Sequence, residues 1–183
     1  MSDIVKRNKL RKKQEKYAKV YSKVNSLLEQ YIGGQVFFTE LDKAVKFDSD
    51  ILEDLMDALH EEFGDKAFIT VASGEIGLAL HNFGIPVDLL VPGGLRFDPT
   101  KINLTPYRHE IVGKNVIFVD DSYFSGKTFA VIKEEVEGLG GTMLGAYVAY
   151  DGAKEKDADV HSLYRYYDHF DILGRPLKEN EDV

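Results

Sequence analysis

The chain has 183 residues and a formal net charge of −8, with 44% hydrophobic and 30% charged residues. This length and composition predict a single soluble, globular unit with a substantial core. Cysteine is absent, which excludes disulfide scaffolds, thiolate zinc sites and cysteine nucleophiles. No apolar run reaches the roughly 18 residues of a membrane span, and the polar, basic N-terminus is unlike a secretory signal. We therefore expect a cytoplasmic protein that has no membrane partner.

The first 30 residues carry nine basic and three acidic side chains, so the other 153 residues hold a net charge of −14. Apolar residues at helical spacing, among them Val20 and Val24, predict a helix that ends at Gly33-Gly34. We interpret its basic face as a solvated surface; nucleic acid, an acidic partner and the protein's own acidic body remain alternatives. The acidic remainder argues against nucleic acid as a partner. The predicted units are a basic helix at 1–34 and a main domain at 35–183.

From residue 35 onward, apolar runs alternate with helical periodicity. Strands are predicted at 35–39, 67–72, 87–91, 116–119 and 143–150, and helices at about 50–63 and 126–137. A glycine-bearing turn after 67–72 leads to a further short helix that ends at about His81. This alternation predicts the α/β class, with a parallel sheet covered on both faces and ligands bound beyond the carboxyl ends of its strands. Residues 95–114 lack periodicity, and a segment of that length predicts a functional loop.

The chemically informative segment runs from 116 to 128. Four apolar residues deliver Asp120 and Asp121 to the carboxyl end of a strand, and a loop leads to Gly126 at the start of a helix. Unpaired N–H groups and the helix dipole at such a start favour a phosphate. Carboxylates only accept hydrogen bonds, so the aspartates suit sugar hydroxyls or hydrated Mg²⁺. Further donors are the hydroxyls of Ser122, Ser125 and Thr128.

Two other interpretations of this segment exist. Gly126-Lys127-Thr128 is similar to the end of a P-loop, but that motif requires glycine five residues earlier, where this chain has Asp121. Alternatively, the acidic strand end simply caps the next helix. Two adjacent carboxylates repel each other and need a counter-charge or hydroxyl donors, which favours a ligand site.

The stretch Val-Ile-Phe-Val-Asp-Asp-Ser-Tyr-Phe-Ser-Gly-Lys-Thr at 116–128 resembles the phosphoribosyl-pyrophosphate (PRPP) motif of type I phosphoribosyltransferases. The resemblance covers roughly residues 35–150 and implies that family's parallel-sheet α/β fold, with 95–114 as an irregular hood loop. It implies that Asp120 and Asp121 hold the ribose 2′- and 3′-hydroxyls, with Mg²⁺ nearby. It also implies a 5′-phosphate cradle formed by Ser122, Tyr123, Phe124, Ser125, Gly126, Lys127 and Thr128.

A second stretch, Ala72-Ser73-Gly74, resembles the pyrophosphate-binding loop of the orotate branch of this family. Glu75 stands where that branch has glycine, and a carboxylate repels a pyrophosphate. Glu75 therefore faces solvent, engages Mg²⁺, or ends pyrophosphate binding. Phe124 occupies the position at which purine members carry an acidic residue that faces the base. The candidate cations of the hood are Arg96 and Lys101.

The resemblance implies transfer of a phosphoribosyl group from PRPP to a nitrogenous base, with release of pyrophosphate, by a homodimer. The residues that would act in catalysis are Asp120, Asp121, Arg96 and Lys101. The expected ligands are PRPP and a nucleobase or nucleoside monophosphate. The alternative is a non-catalytic member of the same fold that senses PRPP or a nucleotide and signals through the basic N-terminal helix.

Overall fold

A computed structural model describes residues 3–31, 48–64, 66–93, 98–171, 175 and 177. Its helices are α1 (Asp3–Lys16), α2 (Ala18–Tyr31), α3 (Ser49–Phe63), α4 (Gly74–Asn82), α5 (Arg108–Ile111) and α6 (Lys127–Gly138). Its strands are β1 (Ile69–Ser73), β2 (Leu89–Val91), β3 (Asn115–Tyr123), β4 (Thr142–Asp151) and β5 (Val160–Arg165). One-turn 3-10 helices occupy Pro99–Lys101, Thr105–Tyr107 and Tyr166–Asp168. The predicted strand at 35–39 and the predicted helix end at Gly33-Gly34 lie outside the described residues.

The five strands form one parallel sheet in the order β2-β1-β3-β4-β5. Consecutive residues of the central strand β3 face opposite sides. Ile117 and Val119 pack with α2, α3 and α4, whereas Val116 and Phe118 pack with α6. Parallel strands read as continuous apolar runs because both faces of the sheet are covered. The predicted α/β class with a parallel sheet is confirmed.

The acidic helix α3 begins as its sequence predicts. The side chain of Asp48 accepts the N–H groups of Asp50 (3.1 Å) and Ile51 (3.4 Å), which satisfies two donors that the first turn leaves unpaired. Its apolar stripe is buried against the sheet, with Leu52, Leu55 and Leu59 fully inaccessible. Because the apolar side of α3 faces the sheet, the carboxylates of the helix lie on its outer surface.

The basic N-terminal segment docks on that acidic surface. Lys16 Nζ lies 2.5 Å from a carboxylate oxygen of Glu61, Lys19 Nζ lies 2.8 Å from Asp50, and Lys23 pairs with Asp48. Exposed ion pairs of this kind add little stability because water screens them. The main contribution is apolar, since Tyr17, Val20, Tyr21 and Val24 are buried in the core. Part of the basic N-terminal face thus binds carboxylates of the protein's own acidic remainder, which is one of the alternatives that the charge pattern left open.

The same helices cover the edge strand β5, which the sequence did not predict. The Tyr21 hydroxyl donates to the carbonyl of Leu163 (3.0 Å), and Lys13 Nζ donates to the carbonyl of Ser162. An edge strand presents unpaired backbone groups that can recruit another chain. Carbonyls alternate in direction along a strand, and that of Asp159 accepts from β4, so the carbonyl of Ser162 faces the open edge, where Lys13 occupies it.

The segment predicted to be an irregular hood is partly packed. Within it, Ile102, Leu104 and Ile111 are buried against α6, and the N–H of Leu104 donates to the carboxylate of Glu135 (2.9 Å). The 3-10 helix at Pro99–Lys101 contacts the same helix. Residues 98–111 therefore belong to one covered face of the sheet. None of the helices in the described part of the chain has the length and apolarity needed to cross a membrane.

Candidate functional site

Two aspartates stand near the carboxyl end of the central strand. Asp120 and Asp121 follow the buried run 116–119 and are themselves half-buried. The strand does not stop there but continues through Tyr123, because Ser122 and Tyr123 align with Tyr150 and Asp151 of β4. The sequence-predicted cradle at 122–128 is thus two strand residues, a short turn at 124–126 and the first two residues of α6.

A hydrogen bond joins the two sequence motifs. The Ser73 hydroxyl, at the end of β1, donates to Asp120 Oδ1 at 2.6 Å across 47 residues of chain. The same oxygen accepts the N–H of Asp121 (2.9 Å), and the Ser122 hydroxyl donates to Asp121 Oδ1 (3.1 Å). These donors offset the mutual repulsion of the two carboxylates. Neighbouring parallel strands end at one edge, which is why the motifs meet.

The turn into α6 has the form of an anion site. Gly126 has φ +71° and stands before the first helical residue, Lys127, and no described side chain caps the helix. The N–H groups of the first turn therefore have no partner within the helix and point out at the positive end of its dipole. Asp120 and Asp121 accept hydrogen bonds from Ser73, from the N–H of Asp121 and from Ser122, so they have contacts other than helix capping.

Tyr123 closes over this turn. Its hydroxyl donates to Asp157 Oδ2 (2.8 Å), and a Cβ atom added to Gly126 would lie 2.6 Å from that hydroxyl. Burial, helped by the hydrogen bond to Asp157, raises the pKa of Tyr123 to about 12. The aromatic side chain thus ties the turn to the β4–β5 connection and keeps its proton at neutral pH. Asp157 was not foreseen from the sequence, because its partner is 34 residues away.

Phe124 presents an aromatic face beside the aspartates. Its ring is 41% exposed, and its centroid lies 5.9 Å from that of Tyr150, tilted by 45°. It rests on the backbone of Gly152, where a Cβ atom would lie 2.2 Å from the ring. About two fifths of the side chain is open to solvent, and aromatic rings stack on planar groups.

The predicted pyrophosphate loop is a tight junction. β1 passes directly into α4 between Ser73 and Gly74, and Gly74 has φ +27°. A Cβ atom on Gly74 would lie within 2.8 Å of the backbone of Gly93, so the segment after β2 packs on this junction. Ala72 is fully buried, and Glu75 is exposed in the first turn of α4.

Of the two cations predicted in the hood, the structure describes Lys101 but not Arg96. Lys101 is exposed at the end of the 3-10 helix that contacts α6. Arg96 lies outside the described residues, so its place relative to the aspartates stays a prediction.

An ion pair that the sequence did not reveal borders the site. Arg165 Nε lies 3.0 Å from Asp151 Oδ2, with about a tenth or less of either side chain exposed. Burial raises the pKa of Asp151, opposed by the N–H of Ala153 and by Arg165. The position of Asp151 after an apolar strand was the only available signal, because nothing in the sequence pairs it with Arg165.

The residues present fit a magnesium ion that is held jointly with a substrate. Among the described residues, no group of three or more histidine, aspartate or glutamate side chains could hold a metal. Mg²⁺ is usually bound by one or two carboxylates, with the remaining positions filled by waters and substrate phosphates. Asp120 and Asp121 supply that donor set.

No protein-family model and no curated protein sequence matches the chain. Several solved structures are similar to it. One is an orotate phosphoribosyltransferase of Mycobacterium tuberculosis in complex with inorganic phosphate, with 15% identity and a TM-score of 0.47 over 69% of this chain and 76% of that chain. Another is a phosphoribosyltransferase of Corynebacterium diphtheriae, with 13% identity and a TM-score of 0.47 over 69% and 81%.

A hypoxanthine-guanine phosphoribosyltransferase of Bacillus anthracis is similar as well, with 17% identity and a TM-score of 0.44 over 70% and 81% of the two chains. All three are phosphoribosyltransferases, the class that the motif at 116–128 resembles. Because these TM-scores lie below 0.5, they carry no argument about function, which has to come from the protein's own residues.

Proposed function

We propose that the protein binds PRPP with Mg²⁺ and transfers its phosphoribosyl group to a nitrogenous base, releasing pyrophosphate. The observation that carries this proposal is the hydrogen bond between Ser73 and Asp120, which brings both motifs to one edge of the sheet beside the open start of α6. Ligands of open α/β sheets bind at this edge.

Each part of the site has a task in this reaction. The first-turn N–H groups of α6 hold the 5′-phosphate, and the carboxylates of Asp120 and Asp121 accept the ribose hydroxyls. When bound, Mg²⁺ supplies positive charge to the leaving pyrophosphate. Phe124, which is 41% exposed, contacts the base. Catalysis by such a site is mostly positioning and electrostatic stabilisation.

The test is calorimetric titration of PRPP with and without Mg²⁺. We expect Mg²⁺-dependent binding that Asp120→Asn with Asp121→Asn weakens at least tenfold, equivalent to about 1.4 kcal/mol. The matched control is Glu53→Gln with Asp57→Asn, which removes the same charge from the exposed surface of α3. Binding that is independent of Mg²⁺, or equally weakened in both double variants, contradicts the proposal.

One observation favours a second candidate, a non-catalytic sensor of PRPP or a nucleotide. The backbone of Gly93 packs on Gly74, where the pyrophosphate would be held. A nucleoside monophosphate needs only the cradle at α6 and would bind regardless of this contact. Pyrophosphate release from PRPP with any base supports the enzyme, whereas monophosphate binding without turnover supports the sensor.

A further inference from the structure

A second cleft lies between α1, α3 and β5. It encloses about 890 Å³ and meets the candidate site only at the bordering ion pair of Asp151 and Arg165, and this volume falls within the roughly 300–1,000 Å³ of small-molecule sites. The cleft extends along β5, from Asp151 and Arg165 at one end to His161. Six basic side chains line it: Lys9, Lys12, Lys13, Lys16, Lys156 and Arg165.

The positive charge of this cleft is only partly neutralised. Four carboxylates also line it: Glu61, Glu62, Asp151 and Asp168. Two of the cations are already paired, Lys16 with Glu61 and Arg165 with Asp151. Within the part of the chain that the structure describes, Lys9, Lys12 and Lys156 form no ion pair. An excess of positive charge is thus concentrated in a protein whose net charge is −8.

Lys13 lies at the centre of this charge. It donates to the carbonyl of Ser162, and burial lowers its pKa to about 8. Asp168 and Glu62 oppose this lowering of the pKa, and Lys9 and Lys156 make smaller contributions to it. Lysines from two separate elements are therefore close enough to repel one another, and a bound anion would relieve that repulsion.

We propose that this cleft binds a compact polyphosphate anion, either free or as the polyphosphate of a nucleotide. The cations come from different parts of the fold. Four of the lysines belong to α1, whereas Arg165 lies on β5 and Lys156 lies in the connection before β5. Several ammonium groups converging from two sides suit a short chain of phosphates, since each acts as a point charge with rotatable donors. This inference does not depend on the proposed function.

The first measurement is calorimetric titration of the full chain, without Mg²⁺, using inorganic tripolyphosphate, a nucleoside triphosphate and orthophosphate. We expect tripolyphosphate to bind at least tenfold more tightly than orthophosphate, with an affinity that falls as salt is added. If a nucleoside triphosphate binds a further tenfold more tightly than tripolyphosphate, the ligand is a nucleotide. If the two bind with equal affinity, the ligand is free polyphosphate. Absence of tripolyphosphate binding by the folded protein overturns the proposal.

Variants then locate the site. Lys9→Gln with Lys156→Gln changes two exposed side chains and should weaken tripolyphosphate binding at least tenfold. Lys66→Gln with Lys114→Gln removes the same charge from exposed positions outside the cleft and should leave binding unchanged. Equal losses in the two double variants would show non-specific attraction and overturn the site.

Two further readouts separate this cleft from the proposed phosphoribosyl site. Asp120→Asn with Asp121→Asn should leave tripolyphosphate affinity unchanged even if PRPP binding is lost. The pKa of the Lys13 amine, followed by NMR, should rise from about 8 when tripolyphosphate is bound. A pKa that does not move places the ligand elsewhere and contradicts the proposal.

Discussion

Gly126 is required by two independent constraints. Its φ of +71° lies in the left-handed region, which other residues adopt only with strain. The Tyr123 hydroxyl also occupies the space in which any Cβ atom would stand, at 2.6 Å. The resemblance to the PRPP motif explains why glycine is expected here, but only the structure shows that a neighbouring side chain enforces it.

We expect Gly126→Ala to destabilise the fold more than backbone strain alone explains. Gly140 is a matched control, because it has φ +86° with nothing within 4 Å of a Cβ atom. Strain should cost about 1–2 kcal/mol in each variant, and the contact with Tyr123 should add to the cost at Gly126. Urea unfolding measures both free energies.

The contact itself can be isolated by a double-mutant cycle. Tyr123→Phe removes the hydroxyl that Cβ would meet, so Gly126→Ala should cost less free energy of unfolding in that background. Equal costs in the two backgrounds would show that the hydroxyl does not constrain Gly126.

Among the elements, β3 and β5 show where sequence analysis succeeds and fails. Residues 116–119 form an apolar run with a clear end, and the predicted strand was found there. β5 reads Val-His-Ser-Leu-Tyr-Arg, and its polar residues interrupt any apolar run. Ser162 and Arg165 are nevertheless buried, because the N-terminal helices and Asp151 cover them. No local pattern encodes this cover, since Lys13 lies 149 positions from Ser162 and Asp151 belongs to a different strand from Arg165.

The end of strand β3 also depends on residues that are distant in the sequence. The sequence indicated that β3 stops near its aspartates, since polar residues usually end a buried strand. Instead, Ser122 and Tyr123 stay in the sheet because β4 is long enough to pair with them. The hydrogen bond between Ser73 and Asp120 was implied only in general terms, by the rule that parallel strands end at one edge.

We expect Tyr21→Phe to cost about 0.5–1.5 kcal/mol, the net contribution of one hydrogen bond, since the carbonyl of Leu163 loses its hydroxyl donor but still faces β4 in the sheet. The change removes one oxygen atom and preserves the packed ring. Tyr107→Phe makes the same change at an exposed position and should have little effect. A small effect at Tyr21, measured by chemical denaturation, would show that water replaces the hydroxyl.

At the scale of the whole molecule, histidines link stability to pH. Burial lowers the pKa of His169, opposed by Asp168, and burial lowers that of His161, opposed by Glu62. Below about pH 6.5 the unfolded chain therefore binds protons that the folded protein does not. Stability should fall as the pH drops through that range, by at most about 1.4 kcal/mol per pH unit for each histidine.

His169→Phe should make this fall shallower. The imidazole stacks on Tyr164 with centroids 4.6 Å apart, and a phenyl ring can keep that contact without titrating. Urea unfolding at a series of pH values between 7 and 5 compares the two slopes. Parallel slopes would show that His169 does not contribute to the acid sensitivity.

The docking of α1 and α2 on β5 has a consequence for how the molecule meets copies of itself. The described sheet ends at β5, and Lys13 and Tyr21 hold two of its carbonyls. Of these two carbonyls, that of Ser162 faces the open edge, so a strand from another copy could pair there only after displacing Lys13 of α1. Trimming the N-terminal helices to obtain a smaller protein would uncover this edge together with the core residues that the helices now cover, and the shortened chain should self-associate.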